Sequence, residues 1–390
     1  MAKFALESKW SVMKKSLLYK IKYFSPAWYG MVMSTGISAS ILASFSYPTH
    51  WLRKVALTYW ACAITWFVLF SAISGLRYLL YRQTSQRILQ NPTQSLYWAC
   101  IPMALSSIIA STNAIFGKGA VWACYALWWI TFALSLLLAW GMVFYTYVKH
   151  SHTEIETLNA VIILPVVTPV VHSTTAASLV RHLPLSWQAH MIVMSMLLLG
   201  NGFLLAYLYM AVYVWRLLTR NMPSRENSIS CFLPIGPCCQ CAFGLLLTSQ
   251  NVESYFDRKG LYPTLKEFPV LSYVAIAAAL FLVGFGTFWL FIACVACLYY
   301  RPRRFGIGWW GLGFPIGTYA VATYELGRML DSTAFKVVSC IVGTIVAVLS
   351  LCLTFVTFYF ALINEQVFII IEEIIDSDIE ACLDNSEKTE

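Results

Sequence analysis

The sequence predicts an all-α membrane protein, with ten transmembrane helices arranged as five helical hairpins around a central pore. Three observations predict it. Hydrophobic residues make up 59% of the 390 and charged residues only 11%, where soluble domains carry about 25% charge. Ten apolar stretches of roughly 20 residues or more, enough to cross a bilayer, follow one another along the chain. Prolines and small polar residues gather in alternate stretches rather than evenly.

Residues 1–24 are basic, and the apolar run that follows has no small-residue cleavage site, so no removable signal peptide is expected. Trp10, Met13, Leu17, Ile21 and Phe24 recur at helical spacing among Lys14, Lys15, Lys20 and Lys22, which predicts a cytoplasmic amphipathic segment at the membrane interface. The ten-helix transmembrane body follows over 25–362. Its expected spans are 26–46, 55–80, 95–116, 120–147, 157–180, 187–216, 230–249, 269–298, 307–328 and 334–362. With the N-terminus inside, the segments assigned to the cytoplasm hold 17 of the 26 Lys and Arg residues. The positive-inside rule then places both termini in the cytoplasm.

Residues 363–390 form an acidic cytoplasmic tail holding nine of the eighteen acidic residues, which leaves the preceding body at +16 within an overall +8. A basic membrane body suits anionic lipid or an anionic solute. Nucleic acid is excluded as a partner because the basic residues are scattered over loops and not gathered on one face.

Pro26, Pro102, Pro165, Pro169, Pro234, Pro237 and Pro315 all fall in odd-numbered spans, and the even spans contain none beyond Pro269 at an entrance. The odd spans also carry Ser34, Thr35, Gly36, Ser106, Ser107, Thr168, the run His172–Thr175, Gln240, Gly317 and Thr318. Odd helices are therefore expected to face an inner cavity and even helices the lipid, a pattern common in transporters. The alternative is that the prolines only kink packed helices. Within Trp309–Arg328, Pro315 directly follows Phe314. An interior proline costs a helix about 3 kcal/mol, and freed backbone groups are tolerated in a bilayer where they line a cavity. The stretch reads as a bent helix beside a pore with a phenyl ring at the bend.

The span interiors hold almost no formal charge. Glu325 and Arg328 lie at the outer end of the ninth span, and His172 is the one mid-membrane candidate for proton coupling, or else a neutral histidine bonded to a neighbouring helix. Twelve cysteines include the spacings Cys238–Cys241 and Cys294–Cys297. No histidine or acid accompanies them to complete a metal set, so neither metal nor cofactor is expected. No paired carboxylates, activated nucleophile or phosphate loop is present, which argues against an enzyme. A membrane redox enzyme using Cys294 and Cys297 is the different-class alternative.

A neutral, hydroxyl-lined path with helix ends exposed suits an anion, because backbone dipoles stabilise negative charge without trapping it. The expected pore and anion-binding residues are Thr35, Gly36, Thr168, His172, Thr174, Pro237, Gln240, Phe243 and Thr318. Phe314 and Pro315 form the expected gate, the ring acting as plug or dewetting barrier, or else simply packing in the bundle. The negative cell interior drives such an anion outward, by about 2.3 kcal/mol per charge per 100 mV.

FSPAWYGMVMSTGIS (Phe24–Ser38), FLPIGPCCQCAFG (Phe232–Gly244) and FPIGTYAVATYELGR (Phe314–Arg328) resemble the tellurite-resistance/dicarboxylate transporter family, closest to its fungal sulfite efflux pumps. The resemblance covers nearly all of 22–362. It implies five hairpins around a pore occluded by the phenylalanine matching Phe314, export of sulfite or bisulfite at the plasma membrane, and relatives that are often trimers. A C4-dicarboxylate such as malate is the alternative cargo. Where the pumps carry small glycines, this chain has Cys238 and Cys241, which would narrow the pore or only alter packing.

Overall fold

The computed structural model describes residues 17–149, 158–260, 269–363 and Phe368. The N-terminal residues 1–16, nearly all of the acidic tail, and Cys382 lie outside the described residues. Ile21, Tyr23 and Phe24 are buried against the body, so the end of the expected interfacial segment packs into the fold.

All regular structure among the described residues is helical. Ten helices of fifteen residues or more follow in order: α1 (Tyr29–Ala43), α2 (His50–Leu80), α3 (Cys100–Phe116), α4 (Val121–Lys149), α5 (Leu164–Val180), α6 (Leu185–Arg220), α7 (Ile235–Lys259), α8 (Val270–Tyr300), α9 (Gly313–Met329) and α10 (Thr333–Phe358). With the short turns that lead into some of them, eight are long and apolar enough to cross a membrane. The other two, α1 and α9, have 15 and 17 residues.

The odd helices form a closed ring, in which α1 packs on α3, α3 on α5, α5 on α7, α7 on α9, and α9 back on α1. Each even helix lies outside and bridges two neighbours of the ring: α2 on α1 and α3, α4 on α3 and α5, α6 on α5 and α7, α8 on α7 and α9, α10 on α9 and α1. Burial follows this division. The most apolar stretches of α3, α5 and α7 are 67%, 94% and 83% buried, and those of the even helices only 17–39%. The even helices turn side chains such as Leu137, Phe144, Phe281, Phe291 and Leu298 outward, an apolar surface far beyond what water tolerates.

Small residues let the ring close. A Cβ on Gly313 would lie 1.6 Å from Ser34 Oγ, and one on Gly36 would lie 2.8 Å from Ser107 Cβ. The backbones of α9 and α1, and of α1 and α3, therefore meet almost directly, as small residues permit in membrane bundles. Buried side chains tie ring to shell: Ser173 donates to the Ser195 carbonyl at 2.7 Å, and Ser339 to the Ala320 carbonyl at 2.9 Å.

The prolines act differently from the expectation. Each ring helix is entered through a 3₁₀ turn: Pro26–Trp28, Ser95–Ala99, Ala160–Ile163, Arg225–Phe232 and Ile307–Gly311. Pro102, Pro165, Pro237 and Pro315 then sit in the first turns of α3, α5, α7 and α9, and Pro26 opens the first 3₁₀ turn. A first-turn N–H has no partner inside its helix, so its loss costs little. Pro169 of α5 is the exception, inside its helix. The bend expected at Pro315 is therefore absent, and α9 begins at Gly313 and runs to Met329.

Candidate functional site

The ring encloses two cavities stacked along its axis. The first, about 410 Å³, lies among the starts of the five odd helices, where Gly30, Cys100, Leu164, Gly236 and Pro315 line it. The second, about 500 Å³, lies among their later turns, where Ser40, Ala110, Ser178, Leu247 and Val321 line it. All five odd helices therefore run in the same sense, from the N-end cavity to the C-end cavity. Among the described residues, Phe314 alone lines both. It is 7% exposed, at the boundary between them.

Along each ring helix the inward residues recur every three or four positions. In α1 they are Gly30, Met33, Ile37, Ser40 and Ser44; in α5, Leu164, Val167, Val171, Thr174 and Ser178. One face of a 3.6-residue helix thus follows the axis. At the level of Phe314 that face is mostly apolar, with Met33, Ile37, Met103, Val167 and Val171 around the ring.

This phase divides the expected site residues. Thr174, Gln240, Phe243 and Phe314 line the C-end cavity, and Pro237, Phe314 and Pro315 the N-end cavity. Thr35, Gly36, Thr168, His172 and Thr318 line neither. Thr35 donates to the carbonyls of Met31 and Val32, Thr168 to that of Leu164 at 3.1 Å, and Thr318 to that of Pro315 at 2.6 Å. Gly36 serves the contact with Ser107. His172 is fully buried and stacks on Trp128 at 4.8 Å. Its Nε2 lies 3.0 Å from the Trp128 carbonyl and its Nδ1 3.0 Å from Ser106 Oγ. A carbonyl only accepts, so Nε2 carries the proton and Nδ1 of the neutral ring accepts from Ser106. Cys238, Cys239 and Cys241 are fully buried and line neither cavity. A Cβ on Gly286 of α8 would lie 3.5 Å from Cys238 Cβ, and Cys241 is buried in a cluster with Val170 of α5 and Leu199 of α6.

The sequence reading gave no role to the charged rim of the C-end cavity. Glu325, 2% exposed, accepts from Arg328 at 2.5 Å, from Gln250 Nε2 at 2.6 Å and from Arg181 at 3.4 Å. Gln250 Oε1 accepts from Arg181 at 2.8 Å and also from Arg328. The end of α5, Gln250 within α7 and the last turns of α9 are thereby joined around one carboxylate, and two guanidinium groups face one negative charge. The i,i+3 spacing of Glu325 and Arg328 was the available signal. In the turn after α5, His182 Nδ1 donates to Asn113 Oδ1 at 2.9 Å. Burial, then Arg181 and Lys118, lower the His182 pKa below the usual histidine value.

Residues 23–360 match the model of the family described as voltage-dependent anion channel. The chain belongs to this family. Within the voltage-dependent anion channel family it is similar to a sulfite efflux pump of Arthroderma benhamiae, 28% identical over 343 residues covering 87% of this chain and 90% of that protein. It is also similar to the sulfite efflux pump of Saccharomyces cerevisiae, 26% identical over 389 residues covering 83% of this chain and 84% of the relative. A malic acid transport protein of Schizosaccharomyces pombe is 25% identical over 358 residues, covering 90% and 81%.

Proposed function

We propose that this chain exports sulfite or bisulfite from the cell through an anion pathway along the ring axis, gated by Phe314 with Pro315 behind it. One observation carries the reading: five parallel helices begin around a single cavity that ends at Phe314. Each helix N-terminus carries the equivalent of roughly half a positive charge. Five together draw an anion to the ring, and the one Lys or Arg among the described residues lining this cavity, Arg304, is exposed. All ten helices cross the membrane in this reading, as five hairpins, with α1 and α9 completed by their 3₁₀ turns.

With both termini cytoplasmic, as the Lys and Arg distribution argues, the N-end cavity opens to the cytosol and the C-end cavity to the outside. Neutral sulfur dioxide enters by diffusion and ionises, and the trapped anion leaves down the electrical gradient of the plasma membrane. Thr174, Pro237, Gln240 and Phe243 are the proposed pathway residues with Phe314. Assembly as a trimer, with lipid around the even helices, belongs to the same proposal and is tested by light scattering of the purified protein.

The malate reading draws on Arg181 and Arg328, two guanidinium groups on one rim and so a match for two carboxylates. Flux of labelled sulfite against labelled malate in liposomes holding the purified protein separates the two. Sulfite flux without malate flux is expected; the reverse overturns the proposal.

A further inference from the structure

The C-end cavity is lined by hydroxyl groups, yet close to Phe314 their protons are already engaged. Ser107 donates to the Met103 carbonyl at 3.0 Å and Thr174 to the Val171 carbonyl at 2.8 Å. Ser106 donates to His172 Nδ1, because Nε2 of that ring is committed to the Trp128 carbonyl. A hydroxyl has one proton. These three residues therefore turn only lone pairs to the cavity, which is a poor lining for a bare anion.

Gln240 differs. It stands one turn beyond Pro237, at the inner end of the C-end cavity, and is 5% exposed. Its side-chain nitrogen donates to Thr174 Oγ1 at 2.5 Å. Thr174 has already given its proton to Val171, so its oxygen can only accept, and this fixes which end of the amide faces it. Oε1 is left buried with no hydrogen-bond partner. Of the two amide protons, one is used by Thr174. What remains is one N–H and one orphaned acceptor on the same small group.

An N–H beside a free carbonyl oxygen complements an oxyanion that carries its own proton. Oε1 has almost no exposed surface with Phe314 in place; when the amide turns to meet an entering solute, one anionic oxygen accepts from the N–H while the solute's O–H donates to Oε1. A dianion, or a monoanion without hydrogen, satisfies the first contact and leaves Oε1 a buried, unpaired acceptor, which disfavours it. We propose that Gln240 selects the singly protonated monoanion, so that bisulfite rather than the sulfite dianion is the species that passes Phe314. The inference rests on the sulfite reading and adds the protonation state of the cargo and the residue that reads it.

Among the described residues, the titratable groups lining the C-end cavity are Arg181, His182, Tyr324, Glu325 and Arg328, and those lining the N-end cavity are Tyr97, Cys100, Glu226 and Arg304. Cys238, Cys239 and Cys241 adjoin Gln240 on α7 and His172 lies on α5, and none of these four lines either cavity.

The test uses the purified full chain in liposomes, with equal pH on both sides, fixed total sulfite, and protein-free liposomes to subtract sulfur dioxide leak. Labelled sulfite flux is followed across the second ionisation of sulfurous acid, and chloride flux across the same range reports any titration of the protein. The wild-type sulfite flux is expected to fall about tenfold for each pH unit above that ionisation, with chloride flux level. In Gln240→Met, of similar length but without hydrogen-bonding groups, the preference for sulfite over chloride below that ionisation is expected to fall about tenfold, two net hydrogen bonds being lost.

Wild-type flux that tracks the dianion overturns the inference. A Gln240→Met variant that passes chloride and keeps the wild-type preference also overturns it. If the variant passes no chloride, the wild-type pH profile still decides the species and Gln240→Leu repeats the selectivity arm. Absence of sulfite flux while chloride passes overturns the substrate reading, and this inference with it.

Discussion

Replacing Phe314 by alanine is the sharpest perturbation of the proposed gate, because among the described residues that ring alone lines both cavities. At 7% exposure, moving the side chain aside uncovers nearly all of it, which costs about 1.5–3 kcal/mol. If an anion passes only when the ring has moved, truncation removes that cost. At tenfold per ~1.4 kcal/mol, conductance should rise roughly 10- to 150-fold. Stability falls too, but by less than the 3–5 kcal/mol of a fully packed phenylalanine, since open cavity lies on two sides of this ring. Patch-clamp of proteoliposomes at matched protein density measures the effect. Phe243→Ala, at a ring lining only the C-end cavity, should leave conductance little changed. Unchanged or reduced current in Phe314→Ala, or an equal rise in both variants, refutes the reasoning.

Three further outcomes are expected. Gly313→Val should prevent assembly of the ring, because its Cβ has no room beside Ser34, whereas Gly284→Ala, with nothing within 4 Å, should be silent; elution of the detergent-solubilised protein distinguishes them. Glu325→Gln leaves Arg181 and Arg328 without their shared carboxylate, so anion current should rise at low salt, and the gain should vanish near 1 M, where the Debye length is about 3 Å; a salt-independent effect would argue against a field at the rim. His182 has a folded-state pKa lowered by burial and by Arg181 and Lys118. Its contribution to stability is therefore present above the usual histidine value and lost as pH falls through the lower folded value. Thermal melting should drop over that acidic window in the wild type and less in His182→Asn.

Much of the architecture was legible in the residues. Lipid requires long apolar helices with little charge, so α2, α4, α6, α8 and α10 declare themselves by composition. The helices they enclose are free to carry Thr174, Gln240 and the prolines, and this is why odd and even spans differ in sequence. The motif around Phe314 placed one ring at the start of α9, where the two cavities meet.

The tertiary structure decided how each inner helix is turned. A helix packed on every side shows no hydrophobic stripe, as in α5, where Thr168, His172, Ser173, Thr174 and Thr175 are spread around the helix among valines, so polarity does not mark which face meets the axis. Sequence reasoning followed polarity to Thr35, Thr168, His172 and Thr318, but their hydrogen bonds are satisfied within or between helices. The axis belongs at that level to Met33, Ile37, Val167 and Val171. The prolines needed the structure for a related reason: whether a proline breaks a helix or begins one depends on where the preceding 3₁₀ turn ends, and neighbouring helices set that point. The charged rim likewise exists only once α5, α7 and α9 bring Arg181, Gln250 and Glu325 together across 144 residues of chain.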